Sequence, residues 1–316
     1  MSSRSRHLPR RSCLSVPASS DKMIAKAATL AADMIFLDLE DSVAPSEKPA
    51  ARARAIAALR DIEWNDKVVG VRVNAWDSPF TVDDLVAVTT ATSARLDIVM
   101  LPKVQTPGEV EAVSLMLDQL EQSAGFARGQ VGIEIQIETA RGLVDVERIC
   151  AASSRLEAVH LGPGDMAASL EMPVISGGVH LDNYPGDHFH YVFSRILVAA
   201  RANGLQALDG PYFRIKDLDG LRDYTQRSRV LGFDGKWALH PDQIAIINEL
   251  FSPTPEQFAR ACAMLEAYEQ ATAVDGRGAV WFESEMIDEA SRKMAAKFVA
   301  RGERAGLVRR DASHGA

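Results

Sequence analysis

The chain has 316 residues, of which 47% are hydrophobic and 25% charged, a composition typical of a globular protein with a sizeable apolar core. A net charge of −8 argues against a general nucleic-acid binder, because phosphate contacts need basic surfaces. Three scattered cysteines exclude a disulfide framework, and neither a membrane-length apolar run nor a secretory signal is present, so we expect a cytoplasmic protein.

Short apolar runs alternate with helical stretches along the chain. Strands are predicted at residues 12–16, 34–39, 68–73, 97–101, 131–137, 158–161, 205–208 and 230–239. Helices are predicted at residues 22–32, 48–62, 107–122, 140–153 and 191–203. Eight strands separated by helices predict a parallel sheet, and their number suits a closed (β/α)8 TIM barrel. An open doubly wound sheet is the alternative, although no G-x-G-x-x-G motif follows the first strand.

The end of the chain has a different pattern. We predict a barrel domain over residues 1–250 and a helical segment over residues 251–316. Thr254, Pro255 and Gln257 match an N-cap, a proline at the first helical position and a capping-box partner. This arrangement predicts that a helix begins here, outside the barrel.

A second helix is predicted at residues 287–301, after a glycine-containing turn at residues 275–278. Two helices beyond the eighth strand are not needed to close a barrel. We therefore interpret this segment as a lid or an oligomerisation arm.

Polar residues at the carboxyl ends of the strands are the first candidates for a site, since barrel active sites lie there. Almost every predicted strand supplies one or more to the same rim. They are Asp38, Glu40, Asp41, Arg72, Asn74, Lys103, Glu138, Asp165, Asp209 and His240.

The fifth predicted strand alternates isoleucine with Glu134, Gln136 and Glu138, so a file of polar side chains is expected to point into the barrel. Glu138 and Asp165 end adjacent strands in this prediction. Two carboxylates, completed by water and substrate oxygens, suit Mg²⁺. The alternative for Asp165 is a structural cap of the helix that follows it.

Arg72 and His240 are also candidate site residues. Arg72 is placed to hold a substrate carboxylate in a bidentate manner, or to form a structural ion pair with Glu40 or Asp41. His240 follows the last strand, and its alternative is a hydrogen-bonded structural histidine. Neither a nucleophile elbow nor a P-loop is present, so hydrolysis through a serine triad is unsupported.

Eight short motifs occur in order between residues 11 and 300. They are RSCLSVP at 11–17, LDLEDSV at 37–43 with KPAAR at 48–52, VRVN at 71–74, LPKV at 101–104, IETARGL at 137–143, GPGD at 162–165, GFDGKWALHPDQ at 232–243 and MID at 286–288. With these motifs in this order, the chain resembles the citrate lyase β-subunit-like family of the HpcH/HpaI aldolase superfamily. That family includes the malyl-CoA and citramalyl-CoA lyases.

The resemblance implies a barrel that assembles as a homotrimer or a dimer of trimers, with Mg²⁺ held by Glu138 and Asp165. It implies that Arg72, beside the ligand Glu138, binds the substrate. Asp288 matches the family's catalytic acid, carried on the C-terminal segment and reaching the site of a neighbouring subunit. The implied contacts to coenzyme A are Lys22, Lys26, Leu239 and His240.

The reaction implied is a reversible retro-aldol (Claisen-type) cleavage of a 3-hydroxy-3-carboxyacyl-CoA, such as malyl-CoA, methylmalyl-CoA or citramalyl-CoA. The products are an acyl-CoA and a 2-oxo acid, glyoxylate or pyruvate. The alternatives are a thioesterase or malate-synthase-like outcome, a citrate lyase β subunit, a silent CoA-binding subunit and a CoA-independent pyruvate aldolase. A long loop at residues 171–190 is expected to overhang the site and to shape the acyl pocket or a subunit contact.

Overall fold

A computed structural model describes residues 4–92, 95–174, 185–276 and 278–309. Eight parallel strands form a closed barrel in chain order, and the last strand pairs with the first. The strands are β1 (Ser12–Pro17), β2 (Met34–Asp38), β3 (Val68–Arg72), β4 (Ile98–Leu101), β5 (Gly132–Ile137), β6 (Leu156–Leu161), β7 (Gln206–Asp209) and β8 (Gly235–Ala238). The predicted (β/α)8 barrel is confirmed, and the open sheet is excluded.

Helices lie between successive strands, and one more helix directly follows β8. They are α1 (Asp21–Ala28), α2 (Lys48–Asp61), α3 (Thr81–Thr92), α4 (Pro107–Ser123), α5 (Ala140–Val144), α6 (Val146–Cys150), α7 (Pro163–Ser169), α8 (His190–Ala202), α9 (Leu218–Leu231) and α10 (Pro241–Leu250). Two short 3-10 helices, Arg4–His7 and Pro45–Glu47, precede β1 and α2. The loop predicted at residues 171–190 lies partly outside the described residues, because these omit residues 175–184.

Several predicted elements differ from the structure in their bounds, and two of them are explained by local backbone features. Residues 230 and 231 belong to α9, which ends at Gly232 with φ +112°, and β8 begins only at Gly235. The left-handed backbone that Gly232 adopts terminates the helix, which explains the glycine in what was predicted as a strand. The helix predicted at residues 140–153 is interrupted at Asp145, which separates α5 from α6.

One apolar cluster fills the barrel. It contains at least one side chain from every strand except β5, and its members are Cys13, Met34, Phe36, Val68, Ile98, Met100, Ala158, Leu208 and Trp237. In place of apolar side chains, β5 directs Glu134 and Gln136 inward, where they bond to His160 and Arg72. The polar file predicted for the fifth strand is therefore present.

The described residues divide into two compact units between Asn248 and Glu249. The second unit contains α11 (Pro255–Asp275), the hairpin of β9 (Val280–Phe282) and β10 (Glu285–Ile287), and α12 (Glu289–Arg304). Its core comprises Phe258, Ala261, Cys262, Leu265, Ala295 and Val299.

The capping box that begins α11 is formed by Thr254 and Gln257, as predicted. The helix predicted at residues 287–301 begins later, because Ile287 pairs in the hairpin and Asp288 caps α12. Within the described residues, no helix combines the length and the apolar character that a membrane span requires.

Candidate active site

The carboxyl ends of β2 to β6 bring a group of charged side chains together. Arg72 ends β3 and contacts Gln136 of β5, with Nη1 donating to Oε1 at 3.3 Å. The amide of Gln136 in turn donates to Oε2 of Glu138 at 3.1 Å. Asp165 lies in the first turn of α7, and its charge contributes to the pKa shift of Glu138. Three residues predicted for the site thus share one rim.

Arg72 is held by carboxylates from β2 and the loop that follows it. Its Nε and Nη2 donate to the two oxygens of Asp38, each at 2.7 Å, and its Nη1 lies 3.2 Å from Oε2 of Glu40. Burial alone would raise the pKa of Asp38, but the charge and hydrogen bonds of Arg72 outweigh it and hold that pKa below its usual value.

This arrangement sharpens the predicted role of Arg72. The ion pair between Arg72 and Glu40, which was predicted as the alternative to substrate binding, is present. The ion pair between Arg72 and Asp38 was not predicted. The Nε–Nη2 edge, which would bind a carboxylate in a bidentate manner, is already occupied by Asp38. A ligand must therefore use the Nη1 side, where it would share or replace the contacts with Glu40 and Gln136.

Glu138 is a buried carboxyl group, 2% exposed. Its Oε1 accepts a hydrogen bond from the backbone N–H of Lys103 at 2.7 Å. Burial, followed by the nearby charge of Asp165, raises the pKa of Glu138 to about 8. Gly162 lies against it, and a methyl group at that position would overlap the carboxylate. The site therefore holds a carboxyl group whose charge is poorly compensated.

Lys103 connects this group to the loop after β2. Its ammonium group lies 2.5 Å from Oε1 of Glu40 and 3.2 Å from Oδ1 of Asp41. Burial lowers the pKa of Lys103, but the hydrogen bond and charge of Glu40 outweigh it and raise that pKa above its usual value. Lys103 adopts a φ of +52°, which a side chain with a Cβ rarely takes.

Carboxylates outnumber cations on this rim. Five acids lie there, and the ion-pair partners they have among the described residues are Arg72 and Lys103. The acids are Asp38, Glu40, Asp41, Glu138 and Asp165.

Such an excess of oxygen ligands fits a hard divalent cation such as Mg²⁺, with Glu138 and Asp165 as its ligands. Groups of three or more His, Cys, Asp or Glu side chains arranged to hold a metal are absent from the described residues. Water and substrate would complete the coordination, which is usual for Mg²⁺.

Some charged and polar residues in and near the motifs have structural roles instead. Lys48 is buried and donates to the carbonyl oxygens of Leu39 and Glu40, which fixes the loop that carries the acids. Asp84 accepts hydrogen bonds from Asn74 and Arg52 and anchors the loop after β3. The polar residues at the strand ends did not predict these hydrogen bonds of Lys48 and Asp84.

One rim candidate points elsewhere. Leu208 belongs to the interior cluster, so its neighbour Asp209 faces away from the barrel interior. Asp209 pairs with Lys236 at 2.7 Å, and that ammonium group lies over the ring of Tyr224 in α9. The prediction that Asp209 faces the site was therefore wrong.

The residues predicted to contact coenzyme A lie on two neighbouring elements. Lys22 and Lys26 are exposed on α1, which directly follows β1. Leu239 and His240 follow β8, which pairs with β1. The backbone N–H of Leu239 donates to Oε1 of Gln243 at 2.8 Å.

His240 has a partly exposed side chain whose Nδ1 accepts a hydrogen bond from the backbone N–H of Asp242 at 3.3 Å. The remaining candidate, Asp288, lies in the second unit, where its Oδ1 accepts hydrogen bonds from the backbone of Ala290 and Ser291. Asp288 therefore has a capping role in addition to any chemical one.

The closed barrel and its acidic rim, which suits a divalent cation, define the class as a metal-dependent (β/α)8 barrel enzyme. The chain belongs to the HpcH/HpaI aldolase/citrate lyase family, which it matches over residues 11–241. The resemblance inferred from the motifs is confirmed.

Named relatives cover nearly the whole chain. An L-malyl-CoA/beta-methylmalyl-CoA lyase of Rhodobacter capsulatus is 39% identical over 92% of this chain and 93% of that protein. A malyl-CoA/beta-methylmalyl-CoA/citramalyl-CoA lyase of Chloroflexus aurantiacus is 34% identical over 83% of this chain and 78% of that protein. The crystal structure of CitE from Mycobacterium tuberculosis with magnesium, acetoacetate and coenzyme A is 32% identical, with a TM-score of 0.73, over 96% of this chain and 100% of that one.

Proposed function

We propose that this protein is a Mg²⁺-dependent carbon–carbon lyase that cleaves a 3-hydroxy-3-carboxyacyl-CoA to an acyl-CoA and glyoxylate or pyruvate. Malyl-CoA, methylmalyl-CoA and citramalyl-CoA are the substrates considered. The observation that carries the proposal is the buried carboxyl of Glu138, beside Asp165 and joined through Gln136 to Arg72. The lyases among its relatives support the choice of substrate class.

Glu138 and Asp165 are the proposed metal ligands. Their chemistry fits because carboxylate oxygens suit Mg²⁺ and because this rim lacks enough cations to balance its acids. When bound, the ion would polarise substrate oxygens and lower the energy of an enolate. The elevated pKa of Glu138 is the property expected of a buried ligand without its cation.

Arg72 is proposed to bind the carboxylate of the substrate and to stabilise negative charge as the bond breaks. Asp38 fixes the Nε–Nη2 edge, so the ligand would meet Nη1 and share or replace its contacts with Glu40 and Gln136. Preorganised donors of this kind need little rearrangement during the reaction, which is why they stabilise a transition state effectively.

The bond changes balance as follows. The hydroxyl group of the substrate gives its proton to a water molecule, and its oxygen forms the carbonyl of the 2-oxo acid. The bond between the hydroxyl carbon and the α-carbon breaks, and its electron pair passes to the α-carbon of the thioester. We propose that Asp288 protonates this enolate carbon and takes the proton back in condensation. Because Asp288 is exposed on the second unit, we propose that it serves the site of a neighbouring chain in a homotrimer or a dimer of trimers.

Coenzyme A is proposed to bind along α1 and the segment after β8. Lys22 and Lys26 are spaced one helical turn apart and would both reach phosphate groups. Leu239 and His240 would line the same groove, since β8 and β1 are adjacent.

The decisive experiment incubates the purified protein with Mg²⁺ and malyl-CoA, methylmalyl-CoA or citramalyl-CoA, and identifies the products by mass spectrometry. Intact acyl-CoA with a 2-oxo acid supports the lyase. Free coenzyme A would favour a thioesterase or malate-synthase-like outcome, and no turnover by the chain alone would favour a silent subunit or a citrate lyase β subunit.

Isosteric variants test the site. Glu138→Gln and Asp165→Asn should each abolish turnover without unfolding the chain, since the side-chain shape is retained while the charge is lost. Glu111→Gln, on the exposed surface of α4, is the matched control and should retain full activity. Full activity in either site variant would refute the metal assignment.

A further inference from the structure

Two residues in the barrel interior, His160 and Trp237, have no part in the chemistry described above. His160 lies on β6 and is 0% exposed, and Trp237 lies on β8 and is 4% exposed. The indole Nε1–H donates a hydrogen bond of 2.6 Å to Nδ1 of the imidazole. A polar pair of this kind inside an apolar cluster requires an explanation.

The indole donor determines the tautomer of His160. Because Nδ1 accepts a hydrogen bond, it carries no proton, and the ring proton must lie on Nε2. Nε2 lies 2.6 Å from Oε2 of Glu134, which therefore accepts that proton in a hydrogen bond. The histidine thus bridges a carboxylate and an indole, with a fixed orientation.

Glu134 is itself anchored at the amino-terminal end of the barrel. Nε of Arg10 donates to Oε1 of Glu134 at 2.5 Å, and Nη2 of Arg10 donates to Glu157 at 2.6 Å. Burial alone would raise the pKa of Glu134, but the charge of Arg10 and the hydrogen bonds from His160 and Arg10 outweigh it and lower that pKa. Glu134 is therefore a stable acceptor for the histidine.

At the opposite end of this chain of hydrogen bonds, Trp237 supports Arg72. The guanidinium carbon lies 5.3 Å from the centroid of the indole ring, within the range of a cation–π contact. Phe36 packs against the other part of the indole, with ring centroids 4.5 Å apart. The indole is thus held by a hydrogen bond and a ring contact while its π system faces the arginine.

We propose that His160 and Trp237 are positioning residues for Arg72: His160 fixes the indole ring, and the ring supports the guanidinium against which the substrate carboxylate binds. The catalytic part of this inference rests on the proposed function. Asp38, Glu40 and Gln136 contact the guanidinium through its N–H groups, and it lies over the ring of Trp237. The tilt of its plane therefore depends also on that ring. Losing the histidine acceptor would leave the buried indole N–H unpaired and allow the ring to turn.

Kinetics of four variants test the proposal. Trp237→Leu removes the aromatic surface and should lower kcat about thirty-fold, the loss expected for a desolvated cation–π contact. Trp237→Phe retains an aromatic ring and should lose about tenfold or less. His160→Leu should also lower kcat about tenfold, and His160→Asn, which restores an acceptor near the Nδ1 position, should recover part of that loss. KM for the CoA ester should change less than kcat in all four variants, because the proposed coenzyme A contacts at Lys22 and Lys26 are left intact.

Ile98→Ala is the matched control. Ile98 belongs to the same apolar cluster and has no polar side-chain atom, so it takes no part in the hydrogen bonds described above. Its truncation should lower Tm and leave kcat unchanged. The proposal is overturned if the folded Trp237 and His160 variants keep wild-type kcat, or if Ile98→Ala loses kcat in proportion to its loss of Tm.

A measurement without turnover separates this proposal from the proposed function. In protein labelled with ¹⁵N-arginine, the Nε–H resonance of Arg72 is identified by its loss in Arg72→Lys. It should shift in His160→Leu and return towards its wild-type position in His160→Asn. If wild-type protein cleaves no CoA ester, the proposed function fails while this shift still supports the positioning of Arg72; an unchanged resonance in His160→Leu overturns it.

Discussion

Lys103 donates its backbone N–H to Oε1 of Glu138 at 2.7 Å, while its ammonium group lies 2.5 Å from Oε1 of Glu40. One residue thus connects two carboxylates that arise from different strands. The positive φ of Lys103 accompanies this geometry, and left-handed backbone at a non-glycine residue is costly. Strain retained at such a position is consistent with a role in arranging the site.

The backbone strain at Lys103 predicts an unusual order of stability between two variants. Lys103→Gly and Lys103→Ala both lose the ammonium group, but only alanine keeps a Cβ at φ +52°. We expect Lys103→Gly to be more stable than Lys103→Ala by about 1 kcal/mol in urea unfolding. At Gln105, where φ is not positive, the order should be reversed or absent; equal stability of the two Lys103 variants would contradict the prediction.

Alanine substitutions at Gly162 and Gly164 test whether the close packing beside Glu138, a proposed metal ligand, is needed for activity. A Cβ at Gly162 would overlap the carboxylate of Glu138, whereas one at Gly164 would meet only Cζ of Phe213 at 3.6 Å, an ordinary contact. Gly162→Ala should therefore lower kcat about a hundredfold or more by displacing Glu138, and Gly164→Ala should stay within about twofold. Steady-state kinetics at saturating Mg²⁺ measure both, and similar activities of the two variants would exclude the steric explanation.

The raised pKa of Glu138 predicts that Mg²⁺ binding depends on pH. A ligand must lose its proton to bind a metal, and the pKa of Glu138 in the metal-free protein is about 8. Affinity measured by titration calorimetry should therefore increase about tenfold per pH unit between pH 6 and 8, and level off above. Glu138→Gln should abolish the binding, and a constant affinity across this range would show that the carboxyl is already ionised.

The same group affects the stability of the metal-free protein. Its folded pKa of about 8 exceeds the value of about 4.3 for an unfolded glutamate, so the folded state binds the extra proton between these values. The stability this proton contributes is full below about pH 4.3 and is lost as pH rises through 8. In chelator-treated protein, Glu138→Gln should therefore raise Tm relative to wild type at pH 8 and have less effect at pH 5. An equal Tm difference at the two pH values would contradict this.

The barrel and its central acids were predictable because both rest on local patterns. Glu138 and Asp165 follow apolar runs, and the alternation of β5 alone indicates which side chains enter the barrel. In contrast, the partners of Arg72 depend on register: Asp38 faces Arg72 only because β2 pairs with β3 at that level. The same reason hid His160, a polar residue in a mainly apolar strand. Its partner Trp237 comes from a strand that was predicted with the wrong start.

Asp288 caps α12, so the usual alanine test would combine two effects. Asp288→Asn retains a good N-cap but loses the acid, and it should lower kcat about a hundredfold or more with little change in unfolding. Asp288→Ala should lose the same activity and also about 1 kcal/mol of stability. Thr254→Ala removes the cap of α11 and is the control for a stability loss alone. If Asp288→Asn kept the kcat of the wild type, Asp288 would not be the acid that protonates the enolate.

Mixing two inactive variants tests whether Asp288 serves a neighbouring chain. If the site combines Glu138 of one chain with Asp288 of another, unfolding and refolding Glu138→Gln together with Asp288→Asn regenerates complete sites. In randomly mixed closed rings, about a quarter of the sites would carry both intact residues, so activity should recover to about that fraction of wild type. Each variant refolded alone is the control and should stay inactive. If both residues came from one chain, no mixture would contain an intact site, and activity would remain at the level of the single variants.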